Sequence, residues 1–385
     1  MSYVAPILIE QRFGNPFVMG LIMSTSSMCG LVFDLVAGRL FRQTSYRLFT
    51  KWLLLLALTF PLILLVLPHY FLVFFIAMAV WGVYYELTKF AQFNFIRVTM
   101  RRTEHTTSWA LFEVMHAVGF VIGPVIASLL LEHSFEFALA AALVCFVLAV
   151  FGFKLYLAFA RPRNRIAENP HTTETVASTA EPKYLHVWEL LGSRLWPLLL
   201  FVFALVLIDT AFLSVGTLIS EDLKQKNYLG LLLLPAYSVP FLIMPWFAQT
   251  LSSRFGKKRT AYLAGIIGGS LLAVGSLATQ VAALLTLVFI ASLCFALVYP
   301  EINATFEDYV VRVGKLGNVV IGLQSAMFSL AYIVGPPLAG LVATKWGNHY
   351  ALTVFGLLLS VIGTLALIIT PRKVRLPQHE LHSNA

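Results

Sequence analysis

Nine ionisable side chains stand inside stretches of sequence that are otherwise apolar: Asp34, Glu86, Lys89, Glu113, His116, Asp209, Glu301, Glu307 and Asp308. A charge in an apolar medium is costly unless it meets a partner or water, so these groups are the first place to look for chemistry. A carboxyl there can bind a cation, pair with a base, or take a proton on one side and release it on the other. Lys89 follows Glu86 by three residues, and His116 follows Glu113 by three, so on a helix each pair shares a face. Glu86 and Glu301 each precede an arginine, Arg97 and Arg312, by eleven residues. At the helical rise this puts both carboxyls about 16 Å from the basic end of their segments. Asp209 lies about 20 Å into its own apolar segment. All three depths are close to the middle of a bilayer. Asp34, one to two turns from a basic end, reads as a cap or a snorkelling charge, and Glu307 and Asp308 read as interfacial. Tyr84, Tyr85, Gln92, Asn94, Tyr299 and Asn303 flank the carboxyls and read either as ligand contacts or as helix and lipid packing.

Other chemistries lack their residues. The chain has no HExxH, no GxSxG, no metal-spaced His/Cys cluster and no phosphate-cradling GxxxxGK[ST]. No catalytic residue, metal ligand or cofactor is therefore assigned. Cys29, Cys145 and Cys294 are far apart inside apolar segments and read as packing residues.

The elements that must hold these groups follow from composition. Of 385 residues, 59% are hydrophobic and 12% charged, with a mean hydropathy of +0.83. Soluble domains are roughly 45–50% apolar and about 25% charged. A soluble chain could not cover so much apolar side chain, so a soluble enzyme and a secreted disulfide domain are excluded. The net charge of +9 sits in short clusters between apolar runs, which speaks for membrane loops and against nucleic acid.

The expected fold class is all-α, a polytopic membrane protein of two pseudo-repeated helix bundles with about eleven transmembrane helices. A stub at 3–9 is followed by apolar segments at 17–41, 50–68, 70–95, 107–131, 135–159, 195–219, 229–250, 260–279, 281–303, 318–343 and 350–370. The polar stretch 161–194 reads as a linker, with a short amphipathic surface helix at its end. The expected division is an N-terminal bundle 1–160, the linker 161–194, a C-terminal six-helix bundle 195–371 and a tail 372–385. With the linker in the cytoplasm, cytoplasmic segments carry 22 Lys and Arg and the outer side carries four. That bias predicts a multi-pass protein of the plasma or inner membrane with a cytoplasmic C-terminus.

The halves repeat. "GRLFRQTSYR" at 38–47 faces "QTLSSRFGKK" at 249–258, "VIGP" at 121–124 faces "IVGP" at 333–336, and "VYYEL" at 83–87 faces "VYPEI" at 298–302, with offsets of 211 to 215 residues. Glu86 and Glu301 are repeat partners, and the position equivalent to Lys89 is Ala304. Residues 195–211 have no upstream counterpart, so the expectation is a first helix that is mostly missing.

A six-plus-six helix duplication with a central polar loop resembles the major facilitator superfamily over nearly the whole chain. That family carries G-x-L-a-D-R-x-G-R-R between its second and third helices. Here the first copy is Gly38, Leu40, Phe41, Arg42, Gln43, Ser45 and Arg47, and the second runs from Leu251 through Arg254, Gly256, Lys257 and Lys258. Both copies lack the aspartate, with Arg42 and Ser253 in its place. "GFVIGP", with Gly119, Gly123 and Pro124, resembles the fifth-helix motif of exporting members, and "YIVGPPLAG", with Gly335, Pro336 and Gly340, is its repeat. Helix packing or gating is the role implied for both.

The resemblance implies secondary active transport of a small molecule by alternating access, in a monomer, coupled to protons and leaning to efflux. Glu301, Glu86, Asp209, Lys89, Glu113 and His116 are the expected substrate or coupling residues, with Glu301 first. The alternatives are a transport-dead or truncated relative and, from another class, a polytopic membrane enzyme, for which no catalytic cluster is present. The expected partners are the bilayer, the substrate and protons, with no nucleic acid.

Overall fold

A computed structural model describes residues 2–40, 46–67, 70–99, 105–159, 181–244, 247, 256–313 and 317–370. Every element among them is helical. The N-terminal half holds α1 (Val4–Phe13), α2 (Pro16–Leu40), α3 (Tyr46–Val66), α4 (Phe71–Thr99), α5 (His105–Leu131) and α6 (Phe135–Phe159). The C-terminal half opens with α7 (Glu181–Leu213) and α8 (Val215–Lys226). It continues with a 3-10 turn (Tyr228–Leu232), α9 (Leu233–Ser238) and α10 (Pro240–Ile243), then α11 (Lys257–Gly275), α12 (Val281–Val313), α13 (Gly317–Trp346) and α14 (Asn348–Ile369).

Each of the eleven expected segments is helical over most of its described residues, and nine helices among the described residues are long and apolar enough to cross a membrane. The other two segments show what hydropathy could not. Of 229–250, expected as one span, the described part is divided into short helices, and residues 245–246 and 248–250 lie outside the described residues. Pro240 has no N–H to donate, so a rung of the ladder is lost and α9 and α10 meet at Val239, whose φ of −56° and ψ of −42° keep the backbone in the helical region. Exposed backbone is intolerable in a bilayer unless a partner satisfies it. Here the Ser292 hydroxyl of α12 donates to the Tyr237 carbonyl. The remaining segment, α11, begins with Lys257, Lys258 and Arg259 and so is less apolar.

Segment 195–219, also expected as one span, breaks at Ser214. The Ser214 hydroxyl bonds back to the Thr210 carbonyl at 2.6 Å, and Gly216 follows two residues on. Ser and Gly together are a usual cause of a kink. Thus α8 is a separate amphipathic helix where a short loop at 220–228 was expected. At the other end α7 starts at Glu181. Residues 181–194 of the expected linker are therefore continuous with the span, and no separate surface helix forms among the described residues. Residues 161–180 and the tail 372–385 lie outside the described residues.

Side-chain burial sorts the helices. In the apolar stretch of α7, 78% of residues are buried inside the protein, against 11% for those of α5 and α6. Val144, Val147, Leu148, Phe151 and Phe159 on α6 are exposed, as is Cys145, which was expected to be a packing residue. An apolar surface of this extent on α6 fits contact with lipid. The core runs from α1 through α7 to α14.

The duplication is visible in how the halves meet. They join where α2 packs on α13, where α5 packs on α9, and where α1 packs on α8. The repeat offset carries α2 onto the broken helix and α5 onto α13, so the first two seams are copies of one contact. Gly20 and Gly340 make the α2–α13 seam tight. A Cβ added at Gly20 would lie 2.2 Å from the Pro336 carbonyl oxygen, and one at Gly340 would lie 2.1 Å from that of Pro16.

Candidate functional site

Asp209 is carried on α7, three residues before Phe212, so both leave the same helix face. The Tyr237 ring stacks on Phe212 at 3.9 Å between centroids, 14° from parallel. In the facing segment α9 gives way to α10 at Val239, just after Tyr237. The Tyr237 hydroxyl then donates to one oxygen of Asp209 and the Tyr299 hydroxyl of α12 donates to the other. Tyr332 of α13 is near enough to both Asp209 and Tyr85 to interact electrostatically. Phe241 and Phe328 complete an aromatic wall, with ring centroids 5.8 Å and 6.5 Å from that of Tyr299. Asp209 thus accepts from hydroxyls on α9 and α12, beside a row of rings carried by α7, α9, α10, α12 and α13.

Asp209 and Tyr299 stand out in the sequence by depth and proximity. Tyr237 and Tyr332 do not. They lie in segments where no charge marks them, and only the packing of α9 against α7 and the crossing of α13 bring them in.

The other expected residues are placed as follows where the structure describes them. Glu301 is 3% exposed. It follows Tyr299 by two residues, roughly 200° around α12, and so leaves another face. Lys89 donates to both oxygens of Glu86 at 2.9 Å. Its side chain is 62% exposed, against 13% for Glu86. Glu86 also backs onto α2, where a Cβ at Gly30 would meet it at 3.3 Å. His116 is exposed and stacks on Phe120 at 4.9 Å. The side chains of Glu113, Asp34 and Asn94 lie outside the described residues. On α4, Tyr84 stacks on Trp81 at 4.7 Å, and the Tyr85 hydroxyl is 3.1 Å from that of Ser2. Asn303 accepts from Gln324 at 2.8 Å.

The two glycine–proline motifs differ. A Cβ at Gly335 would lie 2.0 Å from the Thr210 hydroxyl, so Gly335 and Gly340 let α13 press against α7 and α2. Gly119 and Gly123 have nothing within 4 Å of an added Cβ, although Pro124 is buried. These two glycines make no close helix contact, and the lean to export that rested on them loses its structural support.

The loop motif has an acid the pattern did not supply. Lys257 pairs with Asp308 of α12 at 2.9 Å, so Asp308, expected to be merely interfacial, is the partner of the second copy. Gly256 sits at φ +84°, a left-handed turn into α11 that glycine adopts without strain. Gly38 lies in the last turn of α2 and Arg47 is exposed, while Arg42 and Arg254 lie outside the described residues.

The family model described as Major Facilitator Superfamily matches residues 1–226 and 198–384. Among solved structures, a point mutant of the nucleoside transporter NupG superposes with a TM-score of 0.73 at 12% identity, covering 96% of this chain and 94% of that one. A second structure of the nucleoside transporter NupG gives 0.68 at 12% identity, covering 97% and 96%. No curated protein sequence matches the chain. With the family model spanning both halves and the fold superposing end to end, the chain belongs to the major facilitator superfamily.

Proposed function

We propose that this chain is a proton-coupled secondary transporter whose substrate binds against Asp209, and that the substrate is a small polar molecule with an aromatic ring. One observation carries the reading: both Asp209 oxygens are held by tyrosine hydroxyls from two different helices, inside a wall of aromatic rings. The rings can stack on a planar ligand, and the carboxylate and hydroxyls can bond its polar groups. Nucleosides are the first class to test, since solved structures of similar fold are titled nucleoside transporters. The carboxylate among rings also favours a second reading, an organic cation.

Coupling follows from the same geometry. A carboxylate offers two acceptor oxygens, whereas the protonated acid turns one of them into a donor. Taking a proton therefore weakens the hold on one tyrosine and frees α9 or α12 to move. Glu301 is the second proton candidate in this reading. The assay is uptake of labelled nucleosides into proteoliposomes under an imposed pH gradient. Glu301→Gln is expected to retain exchange and to lower proton-driven accumulation. Accumulation equal to wild type removes Glu301 from the coupling path, and no nucleoside movement by the wild type overturns the substrate class.

The reading also places the tail in the cytoplasm of the plasma or inner membrane and α8 outside, on the 22-to-4 distribution of Lys and Arg. In a background without native cysteines, an impermeant thiol reagent on intact cells is expected to label Gln225→Cys and spare Thr173→Cys. The reverse pattern inverts the topology.

A further inference from the structure

The halves are tied at the α8 end by a compact set of polar contacts that the binding site does not use. Lys224 of α8 is the centre. Its ammonium donates to the Ser128 carbonyl oxygen at 2.6 Å and lies 3.0 Å from the Ser128 hydroxyl. It also pairs with Glu132 at 3.0 Å and, more loosely, with Glu221 at 3.9 Å. Ser128 and Glu132 belong to the end of α5 and the turn after it, in the opposite half. Glu221, one turn before Lys224 on α8, accepts from the Ser128 hydroxyl at 2.6 Å and from the Tyr3 hydroxyl at 2.7 Å. Tyr3 further donates to Ser220 at 3.2 Å. One helix of the C-terminal half is thereby bonded to α5 and to Tyr3, the residue that precedes α1, in the N-terminal half.

Burial makes these contacts matter. The Lys224 side chain is 8% exposed, and Ser128 and Ser220 are fully buried. The carboxylates are more open, Glu221 at 21% and Glu132 at 42% exposed, so the cost of breaking the set is largest for changes that leave the buried ammonium without its acceptors. The Lys224 hydrogen bond also holds the Glu132 carboxyl below its ordinary value.

The mechanics fit a moving part. The break at Ser214 separates α8 from α7, five residues after Asp209, so α8 can tilt without unwinding the helix that carries the site. Within its own half α8 is held by Asp222, which accepts from Asn348 of α14 at 3.1 Å. A pocket of about 240 Å³ beside the contacts, lined by Leu131, Glu132, Glu221, Lys224, Gln225 and Tyr228, opens them to water.

We infer that Tyr3, Ser128 and Glu132, closing on Glu221 and Lys224, form the latch that keeps the α8 end of the transporter shut, and that α8 is the gate it holds. The inference rests on the transport reading for its purpose, but the latch is tested without substrate. Thr217 on α8 is fully buried in the latched structure. The experiment labels Thr217→Cys, in a background without native cysteines, with an impermeant maleimide on intact cells. The parent is expected to label slowly. Lys224→Gln is expected to raise the labelling rate about tenfold and Lys224→Arg to leave it near the parent. Tyr3→Phe, which deletes only a hydroxyl and should fold if Lys224→Gln does not, is expected to raise it severalfold.

Unchanged labelling in folded Lys224→Gln or in Tyr3→Phe overturns the latch. The same acceleration seen only in inside-out vesicles supports the latch and inverts the orientation. A latch that responds as expected in a protein that moves no solute supports the gate and refutes the transport reading alone.

Discussion

Asp209→Asn is expected to abolish proton-driven accumulation while leaving exchange of bound substrate. The amide is close in shape to the carboxylate, and its oxygen can still accept from Tyr237 or Tyr299, while its NH2 can donate to the other hydroxyl. The aromatic wall and the helix packing should therefore survive. What the amide cannot do is titrate. One proton coupled across a gradient of one pH unit supports about tenfold accumulation, since tenfold corresponds to roughly 1.4 kcal/mol. For the variant the expected ratio of inside to outside concentration is one. Counterflow with equal pH on both sides separates loss of coupling from loss of binding. An Asn variant that still accumulates substrate tenfold under the gradient removes Asp209 from the coupling path and makes Glu301 the next candidate.

Gly82→Val is expected to cost most of the folded protein. On α4, a Cβ at Gly82 would lie 1.9 Å from the Ser26 carbonyl oxygen and 2.9 Å from the Ser26 Cα of α2. The obstruction is backbone, so no side-chain rotation relieves it and the two helices must separate. Overpacking a core costs about 1–3 kcal/mol and occasionally more, and rigid contact on both sides puts this site at the upper end. The expected result is a clear fall in detergent melting temperature and in the monodisperse fraction. Gly123→Val, with nothing within 4 Å of the added Cβ, is the matched control and should melt near wild type. Equal losses at both positions would show that close approach of α2 to α4 is not what makes Gly82 sensitive.

The sequence contrasts these two glycines in the opposite sense. Gly123 sits in a recognisable glycine–proline motif and attracts the packing reading, while Gly82 sits in "WGVYYEL" and attracts none. Motifs report a residue's neighbours along the chain, but close approach depends on where a second helix crosses. The same limit applies to Lys89. Its spacing from Glu86 is a fact of the chain, and the ion pair needs only the helix they share. How exposed the ammonium is depends on the helices around α4. At 62% exposure, Glu86→Gln should disturb folding less than the loss of a buried partner would.

Hydropathy by itself determined the class and the approximate positions of the helical segments, because burying backbone in lipid leaves a twenty-residue apolar chain few choices besides a helix, and matched residue strings at a constant offset carried the duplication. Depth along those helices also picked out Asp209 together with Glu86 and Glu301, with Tyr299 as one of the residues flanking them, since the rise per residue is constant. Only the tertiary structure decided which deep groups meet. The packing of α9 against α7 brings Tyr237 onto Asp209, the stretch of helix between Tyr299 and Glu301 turns Glu301 to another face, and the break at Ser214 sets α8 apart from α7, where it bonds Ser128, Glu132 and Tyr3 across the halves. Each of these depends on an angle at a helix break or a crossing between helices distant in sequence. Such angles are set by packing against partners, and a one-dimensional pattern of apolar residues does not encode them.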